Sequence, residues 1–123
     1  MPLGSQLNAQ VGSQAALAIL GDLASAVSAA GTSQSGATAL TTVNSIVTTA
    51  SAGQGVRLPL TPTVSANDRL HVANHTAVNL LVYPPSGGKL GTASANVPAA
   101  LGPGKCADFF CIDGTNYTAV LSA

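Results

Sequence analysis

From Leu7 onward the apolar positions recur at intervals of three to four residues, which is the period of an amphipathic helix. The stripe consists of Leu7, Val11, Ala15, Ile19, Leu20, Leu23, Val27 and Ala30. Ser13 is a suitable N-cap, and Gly31 is a suitable residue to end the helix. The opposite face is serine, glutamine and asparagine, with Asp22 as its one charge. We therefore expect residues 1–36 to form a helical arm, packed on its own domain or, as we prefer, on a neighbouring subunit or lattice.

After Gly36 the apolar period changes to two and β-branched residues become frequent, which favours strands. Residues 37–51 predict one strand or two short ones, depending on whether the chain bends at residues 43–45. The segment VRLPL alternates, so that Val56, Leu58 and Leu60 lie on one face of the predicted strand and Arg57 lies on the other. The proline that follows Leu58 restricts this strand to a sheet edge, or ends it.

The segment RLHVAN alternates in the same way, and the polar run after it predicts a hairpin into the next strand, VNLLVYP. Val78, Leu80 and Val82 share one face of that second strand, whereas Asn79, Leu81 and Tyr83 share the other. A strand with apolar residues on both faces is expected at the centre of a sandwich or at a subunit contact. The prolines and glycines of residues 84–88 then require a sharp turn.

Residues 89–104 are weakly patterned and predict a strand fragment within a long loop. KCADFFCI predicts a clear strand, and Asp113-Gly114 predicts a hairpin that returns antiparallel through NYTAVLS. About eight short strands with closely spaced turns are typical of an all-β domain. The prediction for residues 37–123 is a jelly-roll-like antiparallel β-sandwich, preceded by the helical arm of residues 1–36.

The chain is poor in charge, with 7% charged residues and 46% hydrophobic residues at a net charge of 0, where soluble domains carry about 25% charged residues. Such a surface is expected to be covered by other subunits or to be neutral and hydrated. Four lysines and arginines make no basic stripe, so neither nucleic acid nor an anionic membrane is an expected partner. We also predict no secretory signal and no transmembrane helix.

Residues that could carry chemistry are few. Asp68, His71 and His75 lie close in sequence, but a strand followed by a turn does not bring the two imidazoles together as a helix would. The chain has no glutamate and no G-x-S-x-G motif. Cys106 and Cys111 lie on opposite faces of one predicted strand, too far apart for a disulfide, and are expected to be free thiols. We therefore predict a protein that is not an enzyme, with no metal and no cofactor.

Three longer runs resemble small structural proteins of tailed-bacteriophage virions, of the kind that decorate or cement the capsid or form short head fibres. The first is GTSQSGATALTTVNSIVTTASAGQGVRLP, a threonine-rich strand that leads into GVRLP. The second is LHVANHTAVNLLVYPPSGGKL, which contains the pattern N-x-x-x-x-N-L-x-V-Y-P-P-S-G-G, and the third is KCADFFCIDGTNY. Together the three runs cover roughly Ala30 to the C-terminus.

The resemblance implies a β-sandwich protomer, usually trimeric, that is made in the host cytoplasm and stabilises the exterior of a capsid by bridging capsomers. Its expected partners are the major capsid protein and further copies of itself, attached through several weak footprints at once. Expected capsid contacts are Leu7, Val11, Ile19, Leu20, Leu23 and Val27, and expected subunit contacts are Leu81 and Tyr83. The alternative is a receptor- or carbohydrate-binding module of a head or tail fibre, with residues 84–88 or 93–104 at a host glycan.

Overall fold

The computed structural model describes residues 23–59, 68–113 and 115–121, and these residues form nine strands and no helix. The strands are β1 (Leu23–Ser28), β2 (Thr38–Ala39), β3 (Asn44–Thr49), β4 (Gly55–Arg57), β5 (Arg69–Asn74), β6 (Leu80–Tyr83), β7 (Ala99–Leu101), β8 (Cys106–Cys111) and β9 (Tyr117–Leu121). The prediction of an all-β domain is confirmed for this part of the chain.

The strands form two mixed sheets, one with the order β1-β3-β5-β8-β9 and one with the order β2-β4-β6-β7. From β1 to β6 the chain alternates between the two sheets, so each strand lies parallel to the strand two positions later. Antiparallel pairs are β5 with β8, β6 with β7 and β8 with β9. The antiparallel, jelly-roll-like arrangement was therefore wrong. Alternation determines which face a residue takes, but the connections determine which strands become neighbours.

Both sheets contribute side chains to one hydrophobic cluster. The five-stranded sheet supplies Val47, Leu70, Val72, Ala107, Phe109, Cys111 and Tyr117, and the four-stranded sheet supplies Val56, Leu80, Val82 and Leu101. Leu58, directly after β4, belongs to the same cluster. The core positions predicted for β5 and β6 are buried, but Ala73 and Tyr83, on the opposite faces of these strands, are buried as well. β6 lies between β4 and β7, which confirms that the strand with two apolar faces is internal to its sheet.

Tyr117 is the largest of the fully buried side chains. Its phenol donates a hydrogen bond to the carbonyl of Pro59, at the end of the described segment that follows β4. Burial raises the pKa of the Tyr117 phenol above its ordinary value, and the nearby Cys111 thiol adds to this rise. The phenol is therefore a structural donor at neutral pH.

The predicted helical arm is not found among residues 23–36, the part of it that the structure describes. Residues 23–28 instead form β1, at the edge of the five-stranded sheet. Leu23 and Val27 are four positions apart, a spacing that places two residues on one face of a helix and also of a regular strand. A register irregularity between Ala24 and Val27 then places the two residues on different faces. Val27 packs against the core, whereas Leu23 is 53% exposed. Leu7, Val11, Ile19 and Leu20 lie outside the described residues, as does Leu60.

The predicted hairpin after RLHVAN was also wrong, because β5 and β6 belong to different sheets. The side chain of Asn74, fully buried, holds this crossing. Its Nδ2 donates to the carbonyls of Val78 and Leu101 at 2.8 Å and of Gly102 at 3.0 Å. Its Oδ1 accepts hydrogen bonds from the backbone N–H and the hydroxyl of Thr76. One amide therefore joins the end of β5, the loop that follows it and the end of β7.

The proline and glycine corner after β6 turns sharply, as predicted. The N–H of Gly88 donates to the carbonyl of Pro85 at 2.8 Å, and Gly87 between them has a φ of 82°, as a type II turn requires. The carbonyl of Pro84 accepts a hydrogen bond from the side chain of Gln34 at 2.7 Å. Both prolines are fully buried, so the corner forms part of the interior contacts of the domain.

The turn between β8 and β9 is organised by Asp113. Its carboxylate accepts hydrogen bonds from the backbone and side chain of Asn116 and from the backbone and hydroxyl of Thr115. These bonds, led by the side chain of Asn116, lower the pKa of Asp113 to about 2. The antiparallel return predicted at Asp113-Gly114 is confirmed by the pairing of β8 with β9.

This turn gives a testable dependence of stability on pH. The folded-state pKa of Asp113 lies below its ordinary value of 3.8, so its stabilising contribution is present above pH 4 and is lost as the pH falls towards 2. We expect Asp113→Asn to melt at a lower temperature than wild type at pH 6, and the gap to narrow as the pH approaches 2. Thermal unfolding followed by circular dichroism at pH 6, 4, 3 and 2 measures this gap. A gap of equal size at pH 6 and pH 2 would contradict the role of Asp113.

Candidate interaction face

The outer face of the five-stranded sheet consists of the residues that alternate with the core residues of its strands. We call this surface the open face, and its members, read from strand register and burial, are Leu23, Asn44, Ile46, Arg69, His71, Ala73, Cys106, Asp108, Phe110, Thr118 and Val120. One row of register partners crosses the whole sheet, in the order Leu23, Asn44, His71, Asp108, Val120. The open face is therefore continuous from one edge of the sheet to the other.

The centre of this row is polar. His71 on β5 lies opposite Asp108 on β8, and the His71 Nδ1 and Asp108 Oδ1 atoms are 2.7 Å apart. A carboxylate accepts hydrogen bonds, so the Nδ1–H of the imidazole is the donor. The two side chains are 39% and 40% exposed, and a cross-strand pair of this kind contributes roughly 0.2–1 kcal/mol.

No nucleophilic side chain lies directly opposite His71. Its register partners on the neighbouring strands are Asn44 and Asp108, and Cys106 of the open face lies opposite Ala73, one row away. Ser45, the nearest serine on β3, is buried and shares a hydrogen bond with Thr42 at 3.0 Å. Within the described ranges, no group of three or more histidine, cysteine or acidic residues could hold a metal ion. His71 and Asp108 therefore form a hydrogen-bonded pair on the surface of the sheet.

A second polar contact lies one row away. The guanidinium carbon of Arg69 is 4.4 Å from the centre of the Phe110 ring, in cation–π geometry. Arg69 and Phe110 are also register partners on β5 and β8. The arginine is thus held against the sheet and covers part of the one outward aromatic ring of β8.

The two ends of the open face are apolar and exposed. Leu23 is 53% exposed at the β1 edge, and Val120 is 62% exposed at the β9 edge. Ile46 and Cys106 lie half-buried between them. Leu23 and Val120 are therefore two separate exposed apolar positions, at opposite edges of a sheet whose centre carries Arg69, His71 and Asp108.

The expected subunit-contact residues lie on the other sheet, on β6. Leu81 is half-buried on the outer face of the four-stranded sheet. Tyr83 is only 7% exposed, and its ring lies over Gly55, whose Cβ, if present, would be 3.0 Å from a ring carbon. Most of Tyr83 is therefore covered within one chain, and the subunit contact through Leu81 stays a prediction.

The two regions expected to meet a glycan under the alternative hypothesis, residues 84–88 and 93–104, offer little exposed surface or carry no aromatic side chain. In the corner at residues 84–88, only Ser86 and Gly87 are exposed, and the Gly87 N–H donates to Asn96 Oδ1 at 2.7 Å. Asn96 itself adopts a φ of 68°. The loop from Ala93 to Gly104 is more exposed, but it includes β7 and carries no aromatic side chain.

The open face was not predicted as a site, although a signal for it was present. Ile46, Phe110 and Val120 are large apolar residues that alternate with core positions on three different strands. Once β3, β8 and β9 are known to share a sheet, these residues fall on one surface. The sequence predicted the hairpin of β8 and β9 but not that β3 shares their sheet, so Ile46 could not be combined with Phe110 and Val120.

The part of the chain that the structure describes contains no helix that is long and apolar enough to cross a membrane. A scan against protein-family models matches no family, and searches of curated proteins and of solved structures find no match.

Proposed function

We propose that this chain is a non-enzymatic structural protein of a tailed-phage virion, which associates with further copies of itself and binds the outer surface of the capsid. The observation that carries the proposal is the open face, a continuous sheet surface with exposed apolar residues at both ends and a bonded His71–Asp108 pair at its centre. A surface of this kind supports binding to a protein lattice better than chemistry on a small molecule.

The low charge of the chain supports the same proposal. With four basic and four acidic side chains in 123 residues, little solvation energy is lost when the surface becomes covered. Cementing also needs no single strong contact, because an oligomer that engages several capsomers at once binds tightly through effective concentration. We propose a trimer for this reason, with Leu81 at the subunit contact and the major capsid protein as the partner.

In the proposed protomer the two mixed sheets stack as a β-sandwich. The support for this is the single hydrophobic cluster that takes side chains from both sheets, among them Val72, Phe109, Leu80 and Val82. β1 begins at Leu23, which lies on the open face. We therefore keep Leu7, Val11, Ile19 and Leu20, together with Leu23 of the open face, as the proposed capsid contact.

Co-sedimentation tests the proposal. Tail-free heads of the tailed phage that carries the gene are mixed with the purified full-length chain and pelleted, and bound protein is measured against free protein. We expect saturable binding of the wild type, and at least tenfold weaker binding after deletion of residues 1–22, which leaves β1 in place. Leu81→Lys serves as a second variant, and is expected to reduce the oligomer mass in solution.

Two results would overturn the proposal. One is a full-length chain that stays in the supernatant at every concentration of heads. The other is a deletion variant that binds as tightly as wild type, which would remove the N-terminal segment from the proposed contact. Circular dichroism of each variant, compared with wild type, shows whether a loss of binding reflects a loss of folding.

A further inference from the structure

The outermost strand of the five-stranded sheet on the C-terminal side is β9, Tyr117–Leu121. It contains no charged residue and no proline, the two devices by which sheet edges are usually protected. Val120 on its outer face is 62% exposed and Leu121 at its end is also exposed. An edge strand of this kind presents unpaired backbone groups to any strand that can lie beside it.

Hydrogen bonds at the start of β9 show which of its backbone groups point away from β8. The N–H of Tyr117 donates to the carbonyl of Lys89 at 2.9 Å, and its carbonyl accepts from the N–H of Gly91 at 2.7 Å. Successive residues of a strand point their backbone groups to opposite sides. Thr118 and Val120 therefore pair with β8, whereas Ala119 and Leu121 direct their N–H and carbonyl groups outward. No strand of the described ranges lies beside them.

The other three sheet edges are less suited to pairing. β1 has two register irregularities, which twist an edge away from a partner. β2 contains two residues, and β7 contains three and follows Pro98 directly. Only β9 combines a regular register with β8 and an apolar, uncharged sequence.

We propose that residues 119–121 of β9 pair antiparallel with the same residues of a second copy of this chain, about a twofold axis at Val120. Leu90 lies beside Tyr117, so the first residue of β9 is already covered and the pairing must be centred further along. With the centre at Val120, each Ala119 exchanges two backbone hydrogen bonds with Leu121 of the second copy. The two Val120 side chains then face one another on the open face, at the close spacing of a non-hydrogen-bonded pair.

A second copy fits this edge for three reasons. β9 has no charge, so pairing with itself brings no like charges together. The twofold arrangement covers Val120, which is the most exposed large apolar side chain among the described residues, with its own counterpart. A twofold contact also gives a closed dimer in which both β9 edges are paired, whereas a head-to-tail contact would allow further copies to add.

The contact is small, at three residues from each copy, so the pair is expected to dissociate in dilute solution and to form where copies are concentrated. The edge belongs to the sheet that does not contain Leu81. The inference therefore goes beyond the proposed capsid function and does not depend on it.

A disulfide trap tests the register. In a Cys106→Ser background, Val120→Cys places two thiols at a predicted Cα separation of about 4.5 Å, within the range of about 4.4–6.8 Å that a disulfide needs. Ile112→Cys is the matched control, since Ile112 is 54% exposed in the turn after β8 and away from the free edge. After mild oxidation we expect the Val120→Cys chain to run as a covalent dimer on a non-reducing gel, and the control to remain a monomer.

Equal cross-linking of the two variants, or none in either, would overturn the pairing at Val120. Sedimentation over a range of concentrations gives an independent measure, with Val120→Lys compared with Ile112→Lys. We expect the wild type and Ile112→Lys to reach twice the mass of Val120→Lys at high concentration. Equal masses for all three proteins would also overturn the proposal. None of these measurements uses capsids, so the failure of this inference and the failure of capsid binding are separate results.

Discussion

Asn74→Ala is expected to lower the free energy of unfolding by about 3 kcal/mol. The substitution removes the side-chain amide that donates hydrogen bonds to one buried carbonyl and to two partly buried carbonyls. The carbonyl of Leu101 is bonded to Asn74 Nδ2 in a buried position, and those of Val78 and Gly102 are bonded in partly buried ones. Alanine leaves all three without this donor and also leaves a cavity. The loop between β5 and β6 loses its anchor to the end of β7.

Equilibrium denaturation in urea measures the loss, and Asn79→Ala is the matched control. Asn79 is exposed, so the same substitution there is expected to change the free energy of unfolding by less than about 0.5 kcal/mol. Asn74→Asp is expected to be at least as damaging as Asn74→Ala, since a buried carboxylate has no N–H to donate. The Val78 carbonyl keeps the Thr76 hydroxyl as a donor and the Gly102 carbonyl keeps the Lys105 N–H. One buried group left unsatisfied costs about 1–3 kcal/mol, so a loss below about 1 kcal/mol for Asn74→Ala would show that water or these donors replace the amide.

Gly88→Ala is the second change with a large expected effect. A Cβ on Gly88 would lie 1.9 Å from the carbonyl oxygen of Thr115 and 3.0 Å from that of Pro85. Both atoms belong to the backbone, so neither can move away as a side chain would. The turn at residues 113–116 would have to separate from the corner at residues 84–88, at a cost of about 3 kcal/mol.

Gly102→Ala provides the control for Gly88→Ala. A Cβ there would lie 3.4 Å from the Lys105 Cγ, part of a long side chain that can shift. We expect the free energy of unfolding of Gly102→Ala to differ from that of wild type by less than about 0.5 kcal/mol. Melting temperatures and urea midpoints of the two variants measure the difference. Equal stability of Gly88→Ala and wild type would mean that the two turns do not meet as closely as the structure has them.

The faces of the strands could be predicted from the sequence because alternation is a local property. In β5 the pattern of Leu70 and Val72 against Arg69 and His71 was enough to separate core from surface. The hairpin of β8 and β9 was equally local, since Asp113 supplies the turn and the strands on both sides are apolar in alternation. The same reasoning gave β6 two apolar faces and an internal position.

The neighbours of each strand could not be predicted, because they depend on contacts between distant residues. The run after Asn74 has the composition of a hairpin turn, but the Asn74 amide bonds to Leu101 and Gly102, far along the chain. The chain therefore crosses to the other sheet. The pairing of His71 with Asp108 depends on the same crossing, and so the open face became visible only with the fold.

The segment around β1 could not be predicted for a different reason. Leu23 and Val27 fit a helix and a strand equally well by spacing, and the alanines and serines around them favour neither strongly. The deciding factor is the parallel pairing with β3, where Val27 lies beside Val47 in the core. A contact with another strand thus determined the secondary structure.

The alternation of β1 to β6 between two sheets has a consequence for how the chain folds. None of the first five strands pairs with the strand that directly follows it. Consecutive pairing, which closes early and speeds folding, is found within the described residues for β6 with β7 and for β8 with β9. During folding, the early strands therefore remain unpaired, with their apolar side chains exposed, until strands further along the chain pair with them. Refolding is expected to be slow, and its yield to fall as protein concentration rises, because intermolecular association competes during that interval.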